Sequence, residues 1–305
     1  MPAVLVAEAR FGQRLGMVVA NDAWRRTFTV HAGGFLHTLS GSDLSILATW
    51  SVDARTRGSH AAWPDKGFAL VSDRDAVVLR HHAGPAWTTR HPPWAGDFES
   101  GCTWFDHAGR PMAVIPSPDY DGCLVVSLSR AAGRVVADAP IATAPAGIVP
   151  VHHRDGWVGL SVGEGQDAAR VWWVRSSDDD PAALDVIDAG WDDAALADVH
   201  HSGTVVVTVP HDTGPLVIRG FPGLEPRRRV ATPTPDTYWD LSACFVGNQL
   251  VARLSGEVEA TVAVRGDGKL ERLDVGGGWL VPAAEQTWLT VEPGRIRRWR
   301  LADPA

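Results

Sequence analysis

The chain has 305 residues, of which 45% are hydrophobic and 21% charged, and its formal net charge is −8. This acidic balance argues against a nucleic-acid partner, which requires clustered Lys and Arg against the phosphates. No apolar run reaches the ~20 residues that cross a bilayer, and residues 1–10 lack a signal-peptide pattern, so no membrane partner is expected. Three cysteines without metal-ligand spacing predict reduced thiols and a cytoplasmic location.

A repeated pattern predicts the fold. Seven times a short polar turn precedes a burst of apolar residues; the bursts begin at Phe35, Phe68, Pro111, Trp157, Thr204, Gln249 and Thr287. Successive bursts are 33, 43, 46, 47, 45 and 38 residues apart. Strand-rich repeats of ~40–45 residues are typical of β-propellers, in which a blade needs neighbours to bury its faces. We therefore predict an all-β seven-bladed β-propeller with four-stranded antiparallel blades, formed as a single domain by residues 1–305.

In chain order, the blades are predicted to begin near residues 24, 60, 101, 148, 194, 240 and 279. The second unit shows the strands best, at residues 60–63, 68–72, 76–81 and 86–90. The last unit supplies only three strands, between Trp279 and Leu301. The apolar segment Ala3–Ala7 can supply the fourth, so we expect residues 1–10 to close the ring on the last blade, which removes two exposed strand edges.

Three tryptophans strengthen this interpretation. Trp50, Trp173 and Trp299 each fall near the end of a predicted third strand, as in the segment Ile46–Asp53 (ILATWSVD). This placement resembles the tryptophan of WD40 repeats, although the Trp-Asp dipeptide and the preceding Gly-His pair are missing. The resemblance covers the chain as a repeat pattern; it implies a WD40-like propeller architecture and no family function.

The loops predict a binding surface at the propeller axis. In propellers of this kind, the links between blades and the turns between second and third strands share one face. The predicted links are rich in aromatic residues and the predicted turns in acids, which indicates an acidic, aromatic-lined mouth suited to a cationic or amphiphilic small molecule. The candidate ligand-binding residues are Trp24, Trp94, Tyr120, Trp191, Tyr238, Trp239 and Trp279. The alternative is that single tryptophans pack between blades and acidic residues only cap turns.

His60 opens a predicted innermost strand, and a histidine beside carboxylates can transfer protons near neutral pH. The candidate catalytic set is His60, Asp97, Glu99, Asp193 and Asp240. The alternative is that His60 only hydrogen-bonds a neighbouring blade.

Four histidines, His31, His107, His153 and His201, lie near predicted turns between first and second strands, at the opposite end. Such a ring could suggest a metal, but a polar residue repeated at a turn also satisfies backbone groups, and we predict no metal site there. No organic cofactor is predicted. Calcium at an acidic loop stays open, although no loop carries a complete ligand pattern.

Three functions are therefore considered. The first is a small-molecule site at the axis, with cofactor-independent acid–base catalysis of a lyase, cyclase, isomerase or hydrolase type. The alternative is a WD40-like scaffold that binds a protein partner. The third is a glycan-binding lectin, which ranks last because lectin propellers tend to repeat one site in every blade and these loops differ.

Overall fold

The computed structural model is a ring of seven four-stranded antiparallel sheets. It describes residues 2–52, 59–82, 84–94, 101–119, 122–142, 147–163, 169–177, 179–180, 182–190 and 194–302. The predicted all-β architecture of seven four-stranded antiparallel blades is confirmed.

The strands follow one another around the ring in chain order. Blade one is β2 (Leu15–Ala20), β3 (Thr27–Ala32), β4 (Phe35–Ser40) and β5 (Ile46–Ser51); blade two is β6 (His60–Trp63), β7 (Phe68–Ser72), β8 (Ala76–His81) and β9 (Gly84–Arg90). Blade three is β10 (Thr103–Phe105), β11 (Pro111–Pro116), β12 (Gly122–Leu128) and β13 (Val135–Ala142); blade four is β14 (Gly147–His152), β15 (Val158–Gly163), β16 (Ala169–Ser176) and β17 (Leu184–Asp188). Blade five is β18 (Ala194–Val199), β19 (Val205–Pro210), β20 (Leu216–Gly220) and β21 (Pro226–Val230); blade six is β22 (Thr237–Val246), β23 (Gln249–Gly256), β24 (Ala260–Val264) and β25 (Leu270–Leu273). Blade seven is β26 (Trp279–Pro282), β27 (Thr287–Glu292), β28 (Arg295–Leu301) and β1 (Ala3–Arg10).

The first strand of each blade lies innermost, because first strands contact one another around the ring, as β22 does with β18 and β26. All the first strands therefore run the same way along the axis. The end that carries the turns between first and second strands is called the hairpin face. The end that carries the links between blades, together with the turns between second and third strands, is called the linker face.

The core lies between the blades, so most inner strands are covered on both sides. Every residue of β24 is buried, and so is every residue of β11 except the last. This explains why these strands show little polar–apolar alternation in the sequence. The largest fully buried side chains are indoles, at Trp104, Trp173, Trp239 and Trp288.

The N-terminal strand closes the ring, as predicted. β1 pairs antiparallel with β28, from Ala3 opposite Leu301 to Arg10 opposite Arg295. The Phe11 amide also donates to the Gly294 carbonyl at 2.8 Å. Both ends of the described chain are therefore held in one sheet.

The first blade differs from its predicted alignment by one strand. Its innermost strand is β2, which begins at Leu15 and not near residue 24, so the burst at Phe35 is a third strand where the other six bursts are second strands. This explains the short first spacing of 33 residues. Trp50 consequently lies on the outermost strand β5, whereas Trp173 and Trp299 lie on third strands.

The same shift exchanges the faces of the first-blade residues. Trp24 lies in the turn between β2 and β3, on the hairpin face, and not on the linker face as predicted. His31 lies near the end of β3, next to the turn at Gly33, and so belongs to the linker face instead. The expectation that all the aromatic candidates converge on one mouth is therefore wrong for Trp24.

Candidate binding site on the propeller axis

A cavity of about 490 Å³ lies on the axis, within the ~300–1,000 Å³ typical of ligand pockets. Its walls come from the first strands of blades one, four, five, six and seven. Most wall residues are apolar: Met17, Val18, Val149, Val151, Ala195, Ala197, Leu241, Val281 and Trp279.

Three of these first strands are irregular where they line the cavity. β2 has one extra residue against β3 between Leu15 and Val18, and β18 has one extra residue against β19 between Leu196 and Asp198. β22 has two extra residues against β23 between Trp239 and Ala243. Bulges of this kind re-aim side chains beside functional sites, and here they place Ala197 and Ser242 on the cavity wall.

The linker-face mouth of the cavity carries exposed apolar side chains. Met17, Val149, Tyr238 and Trp279 lie near the starts of four innermost strands and are 46%, 46%, 45% and 47% exposed. These four residues are called the mouth residues. Large apolar side chains grouped around an opening are typical of interaction or ligand sites.

An ion pair crosses the ring at the hairpin-face end of the cavity, which is called the floor. The Arg25 guanidinium, from the β2–β3 turn, donates to the Asp198 carboxylate of blade five and to the Val199 carbonyl at 3.2 Å. Asp198 is fully buried and also accepts the backbone N–H groups of Val199 and Phe245, both at 2.7 Å. Burial raises the pKa of Asp198 to about 6, against the opposing effect of Arg25.

His152 completes the floor. Burial, together with the nearby Arg25 charge, lowers the pKa of His152 to about 4, so its imidazole is neutral at pH 7. The floor therefore combines a paired guanidinium and carboxylate with a neutral ring. The carboxylate of Asp22 also lines the cavity there and accepts the Trp24 N–H at 2.7 Å.

Three polar atoms on the cavity wall are enclosed yet have no hydrogen-bond partner in the described part of the chain. They are Nε2 of His152, Nε2 of His211 and Oγ of Ser242. Enclosed polar atoms are normally satisfied, so these three atoms are exceptions; they lie within the cavity wall and have almost no accessible surface towards the cavity.

A second cavity, of about 410 Å³, opens on the hairpin face between the turns of blades one to four. Trp24, Trp63 and Trp157 line it. Trp24 is 56% exposed, and the Arg175 guanidinium lies 4.7 Å from the centre of the Trp157 ring.

Histidines at the hairpin-face turns connect neighbouring blades. His153 accepts the Asp155 N–H at Nδ1 and donates from Nε2 to the Gly203 carbonyl of blade five at 2.8 Å. His200 repeats this arrangement, accepting from Ser202 and facing the Gly247 carbonyl of blade six at 3.1 Å. These rings satisfy turn backbone groups. Within the described residues, no group of three or more His, Cys, Asp and Glu side chains is arranged to hold a metal ion.

Of the candidate catalytic residues, the described ones lie apart. His60 is buried, and its Nε2 lies 3.3 Å from the Thr29 carbonyl of blade one. Asp240 lies on blade six and pairs with Arg253 at 3.2 Å. Asp97, Glu99 and Asp193 lie outside the described residues, as do the ligand-binding candidates Tyr120 and Trp191.

The remaining aromatic candidates divide into two groups. Trp94 is 3% exposed and packs in the hydrophobic core between blades three and four, which includes Cys102. Trp239 is 1% exposed and packs in the core between blades five and six, which includes Val207. Tyr238 and Trp279 are mouth residues on the linker face, and Trp279 lines the cavity.

The residues of the cavity floor were not among the candidates predicted from the sequence. Arg25, His152 and Asp198 are separated by more than forty positions at each step, and no motif relates them. An available signal was Asp198 itself, an acid inside the apolar strand β18 (AALADV), since a buried carboxylate requires partners.

Carboxylates outnumber cations on the linker face. Its described loops carry eight acids against two cations, Arg14 and Arg74; the acids are Asp73, Asp75, Asp119, Asp212, Asp236, Glu257, Glu259 and Asp274. The predicted acidity of this face is therefore present in the described loops.

The cysteines are buried at Cys102, Cys123 and Cys244, and burial raises the thiol pKa of Cys102 and Cys244. In the described ranges, no helix is long and apolar enough to cross a membrane.

Comparison with known proteins identifies the architecture. No protein-family model and no curated protein sequence matches the chain. Among solved structures, it is similar to the β-propeller domain of Cps50 (Swd1) from Myceliophteria thermophila, with a TM-score of 0.59 over 99% of this chain and 100% of that domain. The two sequences are 11% identical, so the likeness concerns the fold alone. The chain is a seven-bladed β-propeller, the fold that it shares with that domain.

Proposed function

We propose that this chain is an interaction propeller, which binds a basic and partly apolar segment of another protein at its linker face. The mouth residues carry the proposal: the exposed side chains of Met17, Val149 and Trp279 line the opening, and exposed Tyr238 lies near the start of another innermost strand on the same face. Aromatic residues at such positions are common anchors of protein interfaces.

The charge of the linker face specifies the partner. Of the eight loop carboxylates, Asp75 is already paired with Arg90 at 2.6 Å. The others attract Lys and Arg, whereas the mouth residues and the cavity wall attract aliphatic or aromatic side chains. An extended peptide with basic residues on either side of an apolar anchor matches both features.

A peptide selection tests this assignment even while the partner is unidentified. Random peptides displayed on phage are selected against the purified chain, and the enriched peptides are synthesised for calorimetry. We expect enriched sequences to combine Lys or Arg with a large apolar residue, and their affinity to fall with added salt because the rim contacts are ionic.

Matched variants locate the binding surface. Tyr238→Ser with Trp279→Ser should weaken peptide binding by about tenfold or more, as expected for loss of a central anchor. Val135→Ser with Val136→Ser removes equally exposed apolar residues from the outer strand β13 and should leave affinity unchanged. Equal losses in both double variants, or enriched peptides without basic residues, contradict the proposal.

A small molecule in the axial cavity is the second candidate function, and the cavity volume of about 490 Å³ favours it. Acid–base catalysis by His60, Asp240, Asp97, Glu99 and Asp193 stays a prediction. Binding of a cationic or amphiphilic ligand does not require that set, and the cavity floor supplies other groups for it.

A further inference from the structure

We infer that the axial cavity binds a small amphiphile whose apolar body ends in an amine. This inference rests on the second candidate function above and names its ligand class. It concerns Asp22, His152 and Ser242 in the cavity and none of the residues selected as catalytic from the sequence.

The apolar body follows from the walls. Along the innermost strands, the cavity is lined by Val18, Val149, Val151, Ala195 and Val281, and Trp279 stands at its mouth. Burying a methylene group against such a wall contributes ~0.8 kcal/mol, so a chain of several methylenes provides most of the affinity.

The charge of the head group follows from the floor. Among the described lining residues the only arginine, Arg25, is already paired with Asp198, and His152 is neutral at pH 7. The Asp22 carboxylate, by contrast, has no cationic partner within the described residues and only the Trp24 N–H as a donor. An ammonium group gives this carboxylate its missing counter-charge, whereas a ligand carboxylate would be repelled.

The hydrogen bonds of the head group follow from the unpartnered atoms. The Ser242 side chain lines the cavity and is 2% exposed, and its enclosed Oγ has no partner among the described residues, so a rotation about χ1 would be needed to turn it towards a head group. The His152 imidazole at the floor also lines the cavity and has an enclosed Nε2 without a partner among the described residues, whereas His211 lies towards the linker face. A primary ammonium carries three N–H donors, enough to reach a carboxylate and two such acceptors.

Calorimetry with three ligands of one chain length tests the inference. Decylamine, decanol and decanoate are titrated into the full chain near pH 8, where an alkylamine is still charged and histidines with ordinary pKa values are neutral. We expect decylamine to bind about tenfold or more tightly than decanol, and decanoate to bind most weakly. Equal affinities for the three, a preference for decanoate, or no decylamine binding overturns the inference.

Two variants assign the contacts. Asp22→Asn keeps the size of the side chain and an oxygen for the Trp24 N–H, and should weaken decylamine binding about tenfold while leaving decanol unchanged. Ala195→Phe fills the wall and should abolish binding of both. If Asp22→Asn weakens both ligands equally, or neither, the charge assignment is wrong; thermal melts of each variant separate such results from unfolding.

The result is distinguishable from that of the peptide selection. Ser substitution at Val135 and Val136 affects neither assay, and Asp22→Asn at the floor should leave peptide affinity unchanged. A chain that binds the selected peptides but not decylamine retains its interaction role and loses only the cavity ligand.

Discussion

The ion pair between Arg25 and Asp198 gives the sharpest stability prediction. Substituting Arg25→Met leaves the fully buried Asp198 carboxylate with two backbone N–H donors and no cation. Removing one partner of a buried pair costs ~3–5 kcal/mol, because the remaining charge is uncompensated. In the parent, however, a folded pKa of about 6 places neutral Asp198 only about 1.4 kcal/mol above the ionised form at pH 7, so the carboxyl can take up a proton when Arg25 is absent. With the lost Arg25 hydrogen bonds added, we expect the free energy of unfolding at pH 7 to fall by ~2–3 kcal/mol.

The loss should depend on pH, with a definite sign. Asp198 has its folded pKa raised from 3.8 to about 6, so the folded state binds a proton that the unfolded state releases between these values. A shift of about two pKa units means that ionised Asp198 already costs ~3 kcal/mol at pH 7, a cost that disappears as pH falls through 6 towards 3.8. Without Arg25 the folded pKa rises further, and at pH 5 the carboxyl is neutral.

Urea denaturation at pH 7 and pH 5 checks both statements. The deficit of Arg25→Met relative to the parent chain should shrink by about 1.4 kcal/mol, from ~2–3 kcal/mol at pH 7 to about 1–2 kcal/mol at pH 5. His152 has its folded pKa lowered from 6.5 to about 4, so it destabilises the folded state as pH falls from 7 to 5. Burial is the main cause of this shift, so the effect is nearly the same in the parent and the variant and largely cancels in the deficit.

The double variant Arg25→Met/Asp198→Asn supplies the control. It removes both charges but keeps a side-chain oxygen as an acceptor near the Val199 and Phe245 N–H groups, so a large part of the loss should be recovered. A deficit below about 1 kcal/mol at pH 7, or the same deficit at both pH values, refutes the reasoning, because Asp198 would then not be an ion that depends on Arg25.

Three further predictions concern the ring itself. Deleting residues 2–10 should lower the melting temperature and cause aggregation, measured by circular dichroism and size-exclusion chromatography, because it exposes the edge of β28; a monomeric deletion variant with parental stability would contradict this. Trp239→Ala should lower the free energy of unfolding by ~3–5 kcal/mol in urea denaturation, because Trp239 is 1% exposed. Trp24→Ala should lower it by less than ~0.5 kcal/mol, because Trp24 is 56% exposed; similar values for the two would show that the burial of Trp239 described above is wrong. Gly109→Ala should cost more than ~1 kcal/mol because its φ is +76° and an added Cβ would overlap a neighbouring indole, while Gly12→Ala, with nothing within 4 Å, should be nearly neutral by the same assay.

The repeat predicted the fold well because inter-blade burial imposes the same apolar burst on every unit. The closing strand was predictable for the same reason, since a unit with three strands requires a fourth. The first blade was misaligned because β4 begins with an apolar burst after a glycine turn, as second strands do elsewhere. Local sequence cannot distinguish a second strand from a third strand when neighbouring blades bury both faces of each.

The site was predicted less well, for a physical reason. A tryptophan near a strand end can be an exposed mouth residue, as at Trp279, or an inter-blade core residue, as at Trp239 and Trp94. Which one occurs depends on whether the side chain turns towards a neighbouring blade or towards the axis, and local sequence does not record this direction. The Arg25–Asp198 contact joins residues 173 positions apart, a separation that no short motif records.

Closure of the ring by β1 also bears on the order of synthesis. During translation, β1 emerges before every other strand, yet its partner β28 emerges after them all. The apolar strand β1, with Val4, Leu5 and Val6, therefore remains unpaired until the other six blades and the rest of the last blade have been synthesised. A ribosome that stalls late releases a chain with an unpaired apolar strand at one end and an open blade edge at the other, the combination on which chaperones and quality-control proteases act.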